Sequence, residues 1–575
     1  MSTLDSILIT LNSILWHNTV LFALLGTGVL FTIWSGFCQY RALTHGVHVI
    51  RGVYDNPDDP GAINHFQALS AALSATVGLG NIGGVALAIS LGGPGAVFWM
   101  WVVGFFGIAI KLTEVTLSML YRNTDDPDNP HGGPMWVVDK ALRLRSPKLA
   151  GLGRGFGILF CITLLISTIT GGNMFQAWNV GVITESYFGI PSIATGIILA
   201  IIVGSVIIGG IKRIGSVASR LVPIMLTLYL IAGIYVLIIN IGEIPGILAL
   251  IFRAAFSPLE STGAFIGGTM GYAFLFGMKR ALFSNEAGQG SSPIAHSAAK
   301  TDEPVREGIV AGLEPFIDTI VVCTLTALII LVTGVWNRSA EATLDMPTSI
   351  VATADAGWSI ETTTTVPERT HDDWKAGDRI FVIVHGDPNP QSGNDLSRLD
   401  GTITASAAGT LQISWDTIAS SVKPKLAGAD IFVSYVGATL TARAFDTVVP
   451  GLGKWLVTIA AWLFAISTLI SWSYYGEQGI VFLAGERAVI PYKLIFCSLT
   501  IVATLGFLKT DAQLDNLTGI GTGVMLFVNV PIMWLLGHQA IIAYKDYFAR
   551  FKSGRMGPEH SPPSLQDLIS GKDVE

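Results

Sequence analysis

The stretch that decides the fold is Ser70–Ser90, which reads SAALSATVGLGNIGGVALAIS. It is apolar and as long as a membrane-crossing helix, yet the segment Thr76–Asn81 (TVGLGN) interrupts it midway. Lipid offers no partner to a bare N–H or C=O, so a helix break at membrane depth has to line a cavity enclosed by protein. Glycine lets the backbone unwind and approach a ligand closely. The stretch therefore predicts a broken membrane helix around a ligand site.

The glycines at this break have a second interpretation. Gly80 and Gly84 form a GxxxG pattern, which lets membrane helices pack closely together. Asn81 favours the ligand site, because an amide in hydrocarbon needs a polar partner. Carbonyls that end one half-helix suit a cation, and amides that begin the next suit a carboxylate. A zwitterionic amino acid together with Na⁺ fits that pair of dipoles.

The composition indicates a polytopic membrane protein. Of the 575 residues, 51% are hydrophobic and 13% are charged, about half the charged share of a soluble domain. A pI of about 5.8 gives no support to nucleic-acid binding. We expect no cleavable signal peptide, because the first apolar stretch is long enough to stay in the membrane. The four cysteines lack CxxC spacing and are expected to be small buried hydrophobes.

Eleven stretches have the roughly 20 mostly apolar residues that a membrane-crossing helix needs. They cover about 14–37, 64–91, 95–121, 155–185, 192–211, 217–240, 262–284, 307–335, 449–482, 490–508 and 517–543. Lys and Arg gather in the loops on one side of these stretches. This asymmetry predicts an N-terminus outside the cell and a C-terminus in the cytoplasm. Residues 544–575 then form a cytoplasmic tail.

A polar interval, 337–446, separates the eighth and ninth stretches. It contains alternating runs typical of strands at Arg379–His385, Thr402–Trp415 and Ile431–Val436, with turn sequences between the first two. The interval predicts a small β domain inserted on the outer face of the membrane. A disordered loop is the alternative, which the regular alternation disfavours. The sequence names no partner for this domain.

A second glycine-rich interruption is predicted five stretches after the first, at Gly268–Gly277. Two interrupted helices at matching places in two halves indicate an inverted repeat. The first repeat is assigned to 63–240, and 1–62 forms an extra helix and inner loop before it. The second repeat is assigned to 262–336 and 447–543. The halves show no alignable similarity, so the repeat rests on topology: five crossings, an odd number, turn the second half upside down.

Four stretches resemble the signature sequences of a known family. They are FQALSAALSATVGLGNIGGVALAISLGGPGAVFWMW from Phe66, GGNMFQAW from Gly171, FSNEAGQGSSPIAH from Phe283 and FAISTLISWSYYGEQ from Phe464. Together they resemble the alanine/glycine:cation symporter family over nearly the whole membrane part. The resemblance implies an all-α polytopic protein with a leucine-transporter-type fold, in which five plus five inverted helices follow one extra N-terminal helix.

The resemblance also implies an activity. Members of this family take up small neutral amino acids, chiefly alanine or glycine, with Na⁺ as the coupling ion. The chain is therefore expected to be a transporter in the lipid bilayer of a bacterial plasma membrane, and not an enzyme. The inserted β domain departs from the usual family pattern, in which this loop is short, and its role stays open.

The family's Na⁺ site resembles a cage of carbonyl oxygens around Ser74 and Val77, completed by the hydroxyls of Ser467 and Thr468. Such neutral oxygens suit a hard, weakly held cation. The alternative for the two hydroxyls is hydrogen bonding to the preceding helical turn, which is common in membrane helices.

The resemblance places nine residues near the substrate. They are Thr76, Gly78, Gly80, Asn81, Asn173, Gln176, Phe276, Gly277 and Trp472. Asn173 and Gln176 are three residues apart, a spacing that turns both amides the same way on an α-helix, towards an amino or carboxylate group. Phe276, Gly277 and Trp472 are expected to close the pocket around a small side chain. An ordinary interfacial or core aromatic fits Trp472 equally well by residue type.

Charged residues inside the predicted spans have less specific interpretations. Lys111 and Glu114 are three residues apart, and we expect them to neutralise each other rather than relay protons. Glu286 is expected to order or gate an inner loop. Asp318 fits either a cation site or a buried polar network, and the sequence favours neither.

Other functions fit the sequence less well. A membrane sensor built on the β domain would need a signalling domain, and a channel would need a repeated filter motif. A membrane enzyme would need a metal, nucleophile or paired-carboxylate constellation, and the ten histidines are scattered without HxxxH or HExxH spacing. The alternatives that stay open are a membrane amino-acid sensor that uses the outer β domain, and an amino-acid transporter coupled to protons in place of Na⁺.

Overall fold

Helices form from nearly all of the apolar stretches, and the polar interval after the eighth of them contains strands. The computed structural model describes residues 3–259, 264–265, 270–345, 348–353, 357–361, 366–370, 373–388, 395–406, 409–435, 437–506, 511–556, 562–563 and 565–570. The chain up to residue 259 is almost entirely helical. Its helices are α1 (Thr3–Leu15), α2 (Asn18–Trp34), α3 (Cys38–Ile50), α4 (His65–Thr76), α5 (Val85–Gly92), α6 (Gly95–Tyr121), α7 (Pro134–Arg145), α8 (Ala150–Ser167), α9 (Phe175–Phe188), α10 (Ser192–Ile207), α11 (Gly210–Ile239) and α12 (Ile244–Phe256).

The helices beyond residue 269 lie on either side of the strands. They are α13 (Met270–Asn285), α14 (Ser292–His296), α15 (Pro304–Ala311), α16 (Leu313–Pro315), α17 (Thr324–Val332), α18 (Ala438–Val448), α19 (Leu452–Ala484), α20 (Val489–Val502), α21 (Asp511–Lys552) and α22 (Leu565–Ser570). The 33 residues of α19 rise about 50 Å along its axis, more than the roughly 30 Å hydrocarbon core.

Six helical segments of the described chain are long and apolar enough to cross a membrane, or eight if two bent pairs each count as one span. The two bent pairs are α2 with α3, at 71°, and α4 with the helix from Gly80 to Gly92, at 50°. Large aliphatic side chains on α10 and α11 point outwards, with Ile201 67% and Ile231 66% exposed. Such exposed apolar surface is explained by contact with lipid. The architecture is that of a helical, polytopic membrane protein.

The break predicted at Thr76–Asn81 is present. Helix α4 starts with a capping box between Asn64 and Gln67 and ends at Thr76, where Val77 leaves the helical region with ψ 86°. A π-helical turn, Gly80–Gly84, then leads into α5. The backbone of this turn, and of the unwound residues before it, lacks some of the hydrogen bonds of a regular helix. Side chains and neighbouring helices supply the hydrogen-bond partners instead.

The second predicted interruption, Gly268–Gly277, is wrong over Met270–Gly277, where α13 is continuous; Gly268 and Thr269 lie outside the described residues. Gly277 serves helix packing instead, since a Cβ there would lie 2.5 Å from the carbonyl oxygen of Ala96 on α6. The chain leaves the helical conformation only after Asn285. There Glu286, Gly288 and Gly290 all have positive φ, at 57°, 83° and 81°.

Two membrane helices contain long π-helical stretches that the sequence pattern does not reveal. Thr168–Met174 joins α8 to α9, and Phe316–Cys323 joins α16 to α17. A π-helix has more residues per turn than an α-helix, so residues beyond it point in directions that an α-helical count does not predict. Both stretches lie beside the break.

The strands lie within the interval predicted to be a β insertion. They are β1 (Ala342–Thr343), β2 (Ile350–Ala352), β3 (Trp358–Ile360), β4 (Arg379–His385), β5 (Leu396–Ala405), β6 (Leu411–Trp415), β7 (Lys425–Leu426) and β8 (Asp430–Val433). A six-stranded sheet has the order β1-β8-β4-β5-β6, with β7 paired to β4, and β2 and β3 form a separate antiparallel pair. Strand β4 covers the predicted run Arg379–His385, and its buried Ile380, Val382 and Val384 lie in the core of the insert.

The end of the interval predicted as insertion folds as helix α18 and packs on the membrane helices. The hydroxyl of Thr441 donates a hydrogen bond to the carbonyl oxygen of Ile82, at 3.1 Å, inside the π-helical turn. Gly83 lies so close to α18 that a Cβ would be 3.0 Å from the backbone nitrogen of Ala438. Helix α18 therefore connects the sheet directly to the broken helix.

Candidate functional site

A cavity lies against the unwound backbone between α4 and α5. Its lining residues are Ala75, Thr76, Gly78, Gly80, Ser167, Gly171, Gln176, Phe283, Glu286, Gln289, Trp472 and Thr522. About 10 Å³ is open to the centre of a water molecule, roughly what one water needs. An amino acid can enter this central cavity only after its walls move apart. The central cavity contains five of the nine predicted substrate residues: Thr76, Gly78, Gly80, Gln176 and Trp472.

Gln176 connects the break to the fourth predicted span. Its Oε1 accepts a hydrogen bond from the backbone N–H of Leu79 at 3.3 Å, and its Nε2 donates to the carbonyl oxygen of Gly171 at 3.2 Å. Gln176 is 3% exposed, so these bonds replace partners that neither lipid nor bulk water supplies. The side chain holds two stretches of irregular backbone at the cavity wall.

Asn81 stabilises the break without lining the central cavity. Its Oδ1 accepts from the N–H of Gly78 at 2.9 Å, and its amide donates to the carboxylate of Asp318. Asp318 also accepts from the hydroxyls of Ser284, at 2.9 Å, and Thr319, at 2.8 Å. Of the two interpretations open for Asp318, the structure favours the buried polar network, which links the π-helical turn Gly80–Gly84, α13 and the π-helical stretch before α17.

The four residues predicted to bind Na⁺ lie together. The hydroxyl of Ser74 donates to the carbonyl oxygen of Ser467 at 2.7 Å, and the hydroxyl of Ser467 donates to the carbonyl oxygen of Phe464 at 2.8 Å. Ser467 thus bonds to its own preceding turn, the alternative considered for it. Thr468 differs: its Oγ1 is buried with no hydrogen-bond partner in the described chain, and a Cβ on Gly78 would lie 2.6 Å from it. Val77, the residue that ends α4, directly precedes Gly78 in the chain.

Asn173 does not face the central cavity. Its amide donates to the carbonyl oxygen of Phe496 on α20 at 2.8 Å, whereas Gln176 faces the break. The expectation that a spacing of three residues turns both amides the same way holds only for an α-helix, and Thr168–Met174 is π-helical.

Phe276 and Gly277 also lie away from the central cavity, Gly277 against α6 and Phe276 in a separate cavity beneath the sheet. Phe283, two turns further along α13, takes their place. Its ring lies over the break, 3.2 Å from where a Cβ on Gly80 would be. Glu286 and Gln289 reach the cavity from the positive-φ turn that follows α13. The sequence signal for this turn is the glycine spacing of NEAGQG.

A chain of buried charges lies beyond this turn. The imidazole of His296 is 2.5 Å from Glu307 through Nδ1 and 2.6 Å from Glu314 through Nε2. Glu307 also contacts His65 at the start of α4, and Glu314 is 3.2 Å from Lys111 on α6. Lys111 therefore has a nearer carboxylate on another helix than Glu114, at 3.9 Å, with which the sequence pairs it. The chain joins α4, α6, α14, α15 and α16.

The His296 ion pairs predict a pH-dependent stability. Burial alone would lower the pKa of His296, but Glu314 and Glu307 outweigh burial and raise the pKa to about 9 from 6.5. A raised pKa stabilises the fold below about pH 6.5, and the stabilisation is lost as the pH rises through about 9. The shift corresponds to about 3 kcal/mol. We expect the Tm of the detergent-solubilised protein to fall over this range.

The His296→Gln variant isolates this group. It should have a lower Tm at the acidic end of the range and a much flatter dependence of Tm on pH. His538→Gln, at an exposed position on α21, provides the control and should keep the wild-type profile. An unchanged pH profile in His296→Gln would show that the imidazole is neutral in the folded protein.

A broken membrane helix that lines a buried cavity is the arrangement found in secondary transporters. The class that fold and site define is therefore a membrane transporter rather than an enzyme. The sodium:alanine symporter family model matches residues 1–364 and 420–561, and the chain belongs to this family. Residues 365–419, between the two matched segments, include strands β4, β5 and β6.

Individual relatives extend over nearly the whole chain. The sodium/alanine symporter AgcS of Methanococcus maripaludis is 34% identical over 542 residues, 94% of this chain and 97% of its own. YrbD of Bacillus subtilis, provisionally named a sodium/proton-dependent alanine carrier, is 32% identical over 97% of this chain and 95% of its own. Among solved structures, a manganese transporter of Eremococcus coleocola overlaps 90% of this chain and 94% of its own, with TM-score 0.46 and 13% identity.

Proposed function

We propose that this protein carries small neutral amino acids, alanine or glycine, across the membrane together with Na⁺. The observation that carries the proposal is the hydroxyl of Thr468, buried beside the break with no hydrogen-bond partner in the described residues. A buried oxygen normally has a partner, and a cation would supply one here. Ser74, Val77 and Ser467 offer further neutral oxygens around the same point. The names of AgcS and YrbD support alanine as substrate.

The substrate is proposed to bind in the central cavity. Half-helix ends at the break present backbone amides and carbonyls to a carboxylate and an ammonium group, respectively. Thr76, Gly78, Gly80 and Trp472 would surround it, with Gln176 fixing the backbone at one wall. The tightness of the cavity fits alternating access, in which binding and release require movement of the broken helix against its neighbours.

Uptake tests the proposal directly. Purified full-length protein in proteoliposomes should accumulate radiolabelled alanine under an inward Na⁺ gradient, and should not do so when K⁺ replaces Na⁺. Binding of alanine without any uptake would instead favour a sensor. Uptake that follows the proton gradient alone would remove Na⁺ from the proposal.

We expect the Thr468→Val variant to have a lower apparent affinity for Na⁺. The variant loses one oxygen ligand while keeping the shape of the side chain, so the Na⁺ concentration for half-maximal uptake should rise about tenfold, an effect of about 1.4 kcal/mol. Thr468→Ser should restore most of the affinity. The control is Thr500→Val, because the Thr500 hydroxyl bonds to its own helix, at 3.1 Å from the carbonyl oxygen of Phe496. Equal Na⁺ dependence in Thr468→Val and wild type would exclude Thr468 as a ligand.

Proton coupling is the second candidate, and the buried charge chain favours it. Glu114 lies 3.9 Å from Lys111, and Asn529 bonds both to Glu114, at 3.1 Å, and to the carbonyl oxygen of Gly288, at 2.8 Å. Gly288 belongs to the turn that carries Glu286 into the central cavity. Alanine uptake driven by a pH gradient in Na⁺-free buffer would distinguish this candidate from Na⁺ symport.

The topology proposed for this function has eleven spans, five plus five of them in an inverted repeat. In the proposed orientation the N-terminus and the inserted sheet are outside the cell, and the C-terminus is in the cytoplasm of a bacterial cell. The Lys and Arg distribution supports this orientation. Accessibility of single cysteines introduced at Asp430 and at Lys552 to a membrane-impermeant reagent tests it.

A further inference from the structure

A second cavity, the insert cavity, lies between the sheet and the membrane helices. Its volume is about 290 Å³, near the lower end for small-molecule sites. Helix α5 lines one side with Ser90 and Leu91, and the sheet lines the other with Arg379, Arg398 and Asp400. Ala86, also in its wall, lies on α5 just beyond the π-helical turn Gly80–Gly84, so the insert cavity lies further along the broken helix than the central cavity.

The alternation of strands β4 and β5 puts the charged side chains on one face of the sheet. Phe381 pairs directly with Asp400, while Val382 and its partner Leu399 point into the core of the insert. Successive side chains alternate between faces, so Arg398 and Asp400 share the face of Phe381. That face is turned towards the membrane helices, since Arg398 and Asp400 line one cavity together with Ser90 of α5. On the same face, Phe381 clusters with Phe432 of β8 and with Ala264.

The three charged groups are held within reach of one small ligand. Arg398 and Asp400 are two residues apart on β5, about 7 Å along the strand. Arg379 is opposite Thr402 and hence diagonal to Asp400, a distance that long side chains bridge. Arg398 is anchored by the ring of Phe381, 4.3 Å from its guanidinium, and by a 3.3 Å hydrogen bond to the carbonyl oxygen of Ala264.

The charges match an amino-acid zwitterion. Guanidinium groups bind carboxylates with paired, charge-assisted hydrogen bonds, and a carboxylate binds an ammonium group. Burial raises the pKa of Asp400, against the opposing pull of Arg398 and Arg379. Asp515, the acid on the membrane side of the cavity, is already paired with Lys279 at 2.6 Å and with Arg280. An ammonium group entering here therefore meets Asp400.

This arrangement belongs to the insert and not to the family as a whole. Arg379, Arg398 and Asp400 all fall in residues 365–419, which the family model leaves unmatched. We propose that the insert cavity is a second amino-acid site, a proposal that rests on the proposed function. Arg379 and Arg398 bind the α-carboxylate, and Asp400 binds the α-ammonium group, before the substrate reaches the central cavity.

Binding stoichiometry tests the proposal. Full-length protein in nanodiscs with saturating Na⁺ should bind two molecules of radiolabelled alanine, and one in Asp400→Asn or in Arg379→Gln. Both variants should raise the KM for alanine uptake about tenfold and leave the maximal rate within about twofold, as expected for lost binding outside the transport step. Asp430→Asn, at an exposed position on the same sheet, is the matched control and should bind two.

The outcomes separate the two proposals. One alanine per wild-type chain, with unchanged KM in both variants and normal Na⁺-driven uptake, overturns the second site and leaves the proposed function intact. Neither binding nor uptake of alanine by the wild type overturns both. Alaninamide adds a check that needs no variant: lacking the carboxylate, it should fail to displace alanine from the insert cavity, and full displacement would contradict the role of the arginines.

Discussion

Gly78→Ala is expected to abolish most alanine uptake. A Cβ at this position would lie 2.6 Å from Oγ1 of Thr468 and 3.4 Å from Oε1 of Gln176. The added methyl group therefore pushes apart the proposed cation ligand and the side chain that holds the break. Overpacking of a buried site costs about 1–3 kcal/mol, and each 1.4 kcal/mol is a factor of ten. We expect uptake in proteoliposomes to fall about 10- to 100-fold.

Gly26→Ala is the matched control for this prediction. Gly26 lies on the membrane helix α2, and a Cβ there would have no neighbour within 4 Å among the residues that the structure describes. Both variants should be monodisperse in detergent with similar yield, so a loss of uptake in Gly78→Ala reports on the site. Full transport by Gly78→Ala would show that the backbone at the break accommodates the added methyl group. It would contradict the placement of the transport site at Gly78.

Gln176→Leu is expected to reduce uptake by a similar factor for a different reason. Leucine is close to glutamine in size, but it leaves the N–H of Leu79 and the carbonyl oxygen of Gly171 without their present partners. A buried polar group without a partner costs about 1–3 kcal/mol. The unwound backbone should then shift or rewind, and both alanine binding and uptake should fall about 10- to 100-fold.

Two further variants accompany this experiment, one as its control and one as a test of the mechanism. Gln539→Leu removes another buried amide, one that accepts from the hydroxyl of Tyr121 at 2.6 Å far from the central cavity, and should keep normal uptake. Gln176→Glu retains an acceptor for Leu79 but loses the donor to Gly171, so its defect should be intermediate. If Gln176→Leu transported alanine as well as Gln539→Leu does, the backbone contact would not matter for transport.

The sequence by itself predicted the membrane class, the break at Thr76–Asn81 and the alternating run that became β4. These features depend on local requirements. Lipid supplies no hydrogen bonds, so apolar stretches must be helical and a break must be enclosed. A strand with one face in a core must alternate. The family was also recognisable from short motifs, and the motif from Phe66 contains the glycines and the amide of the break.

Other features were decided by the tertiary structure. Which residues face the central cavity depends on helix geometry that no residue pattern showed: the π-helical stretch Thr168–Met174 turns Asn173 towards α20 and leaves Gln176 at the break. Likewise Phe283 lies over the break in place of Phe276, because α13 continues to Asn285 before it ends.

The sequence likewise did not predict polar contacts between residues that are far apart in the chain. Asn81 and Asp318 are 237 residues apart, and the sequence identified each as polar without joining them. Lys111 pairs more closely with Glu314, 203 residues away, than with Glu114 one turn along its own helix. A polar group buried in a membrane takes whichever partner the packed helices bring nearest. Sequence spacing specifies that neighbour only within one helix, and the fold specifies it everywhere else.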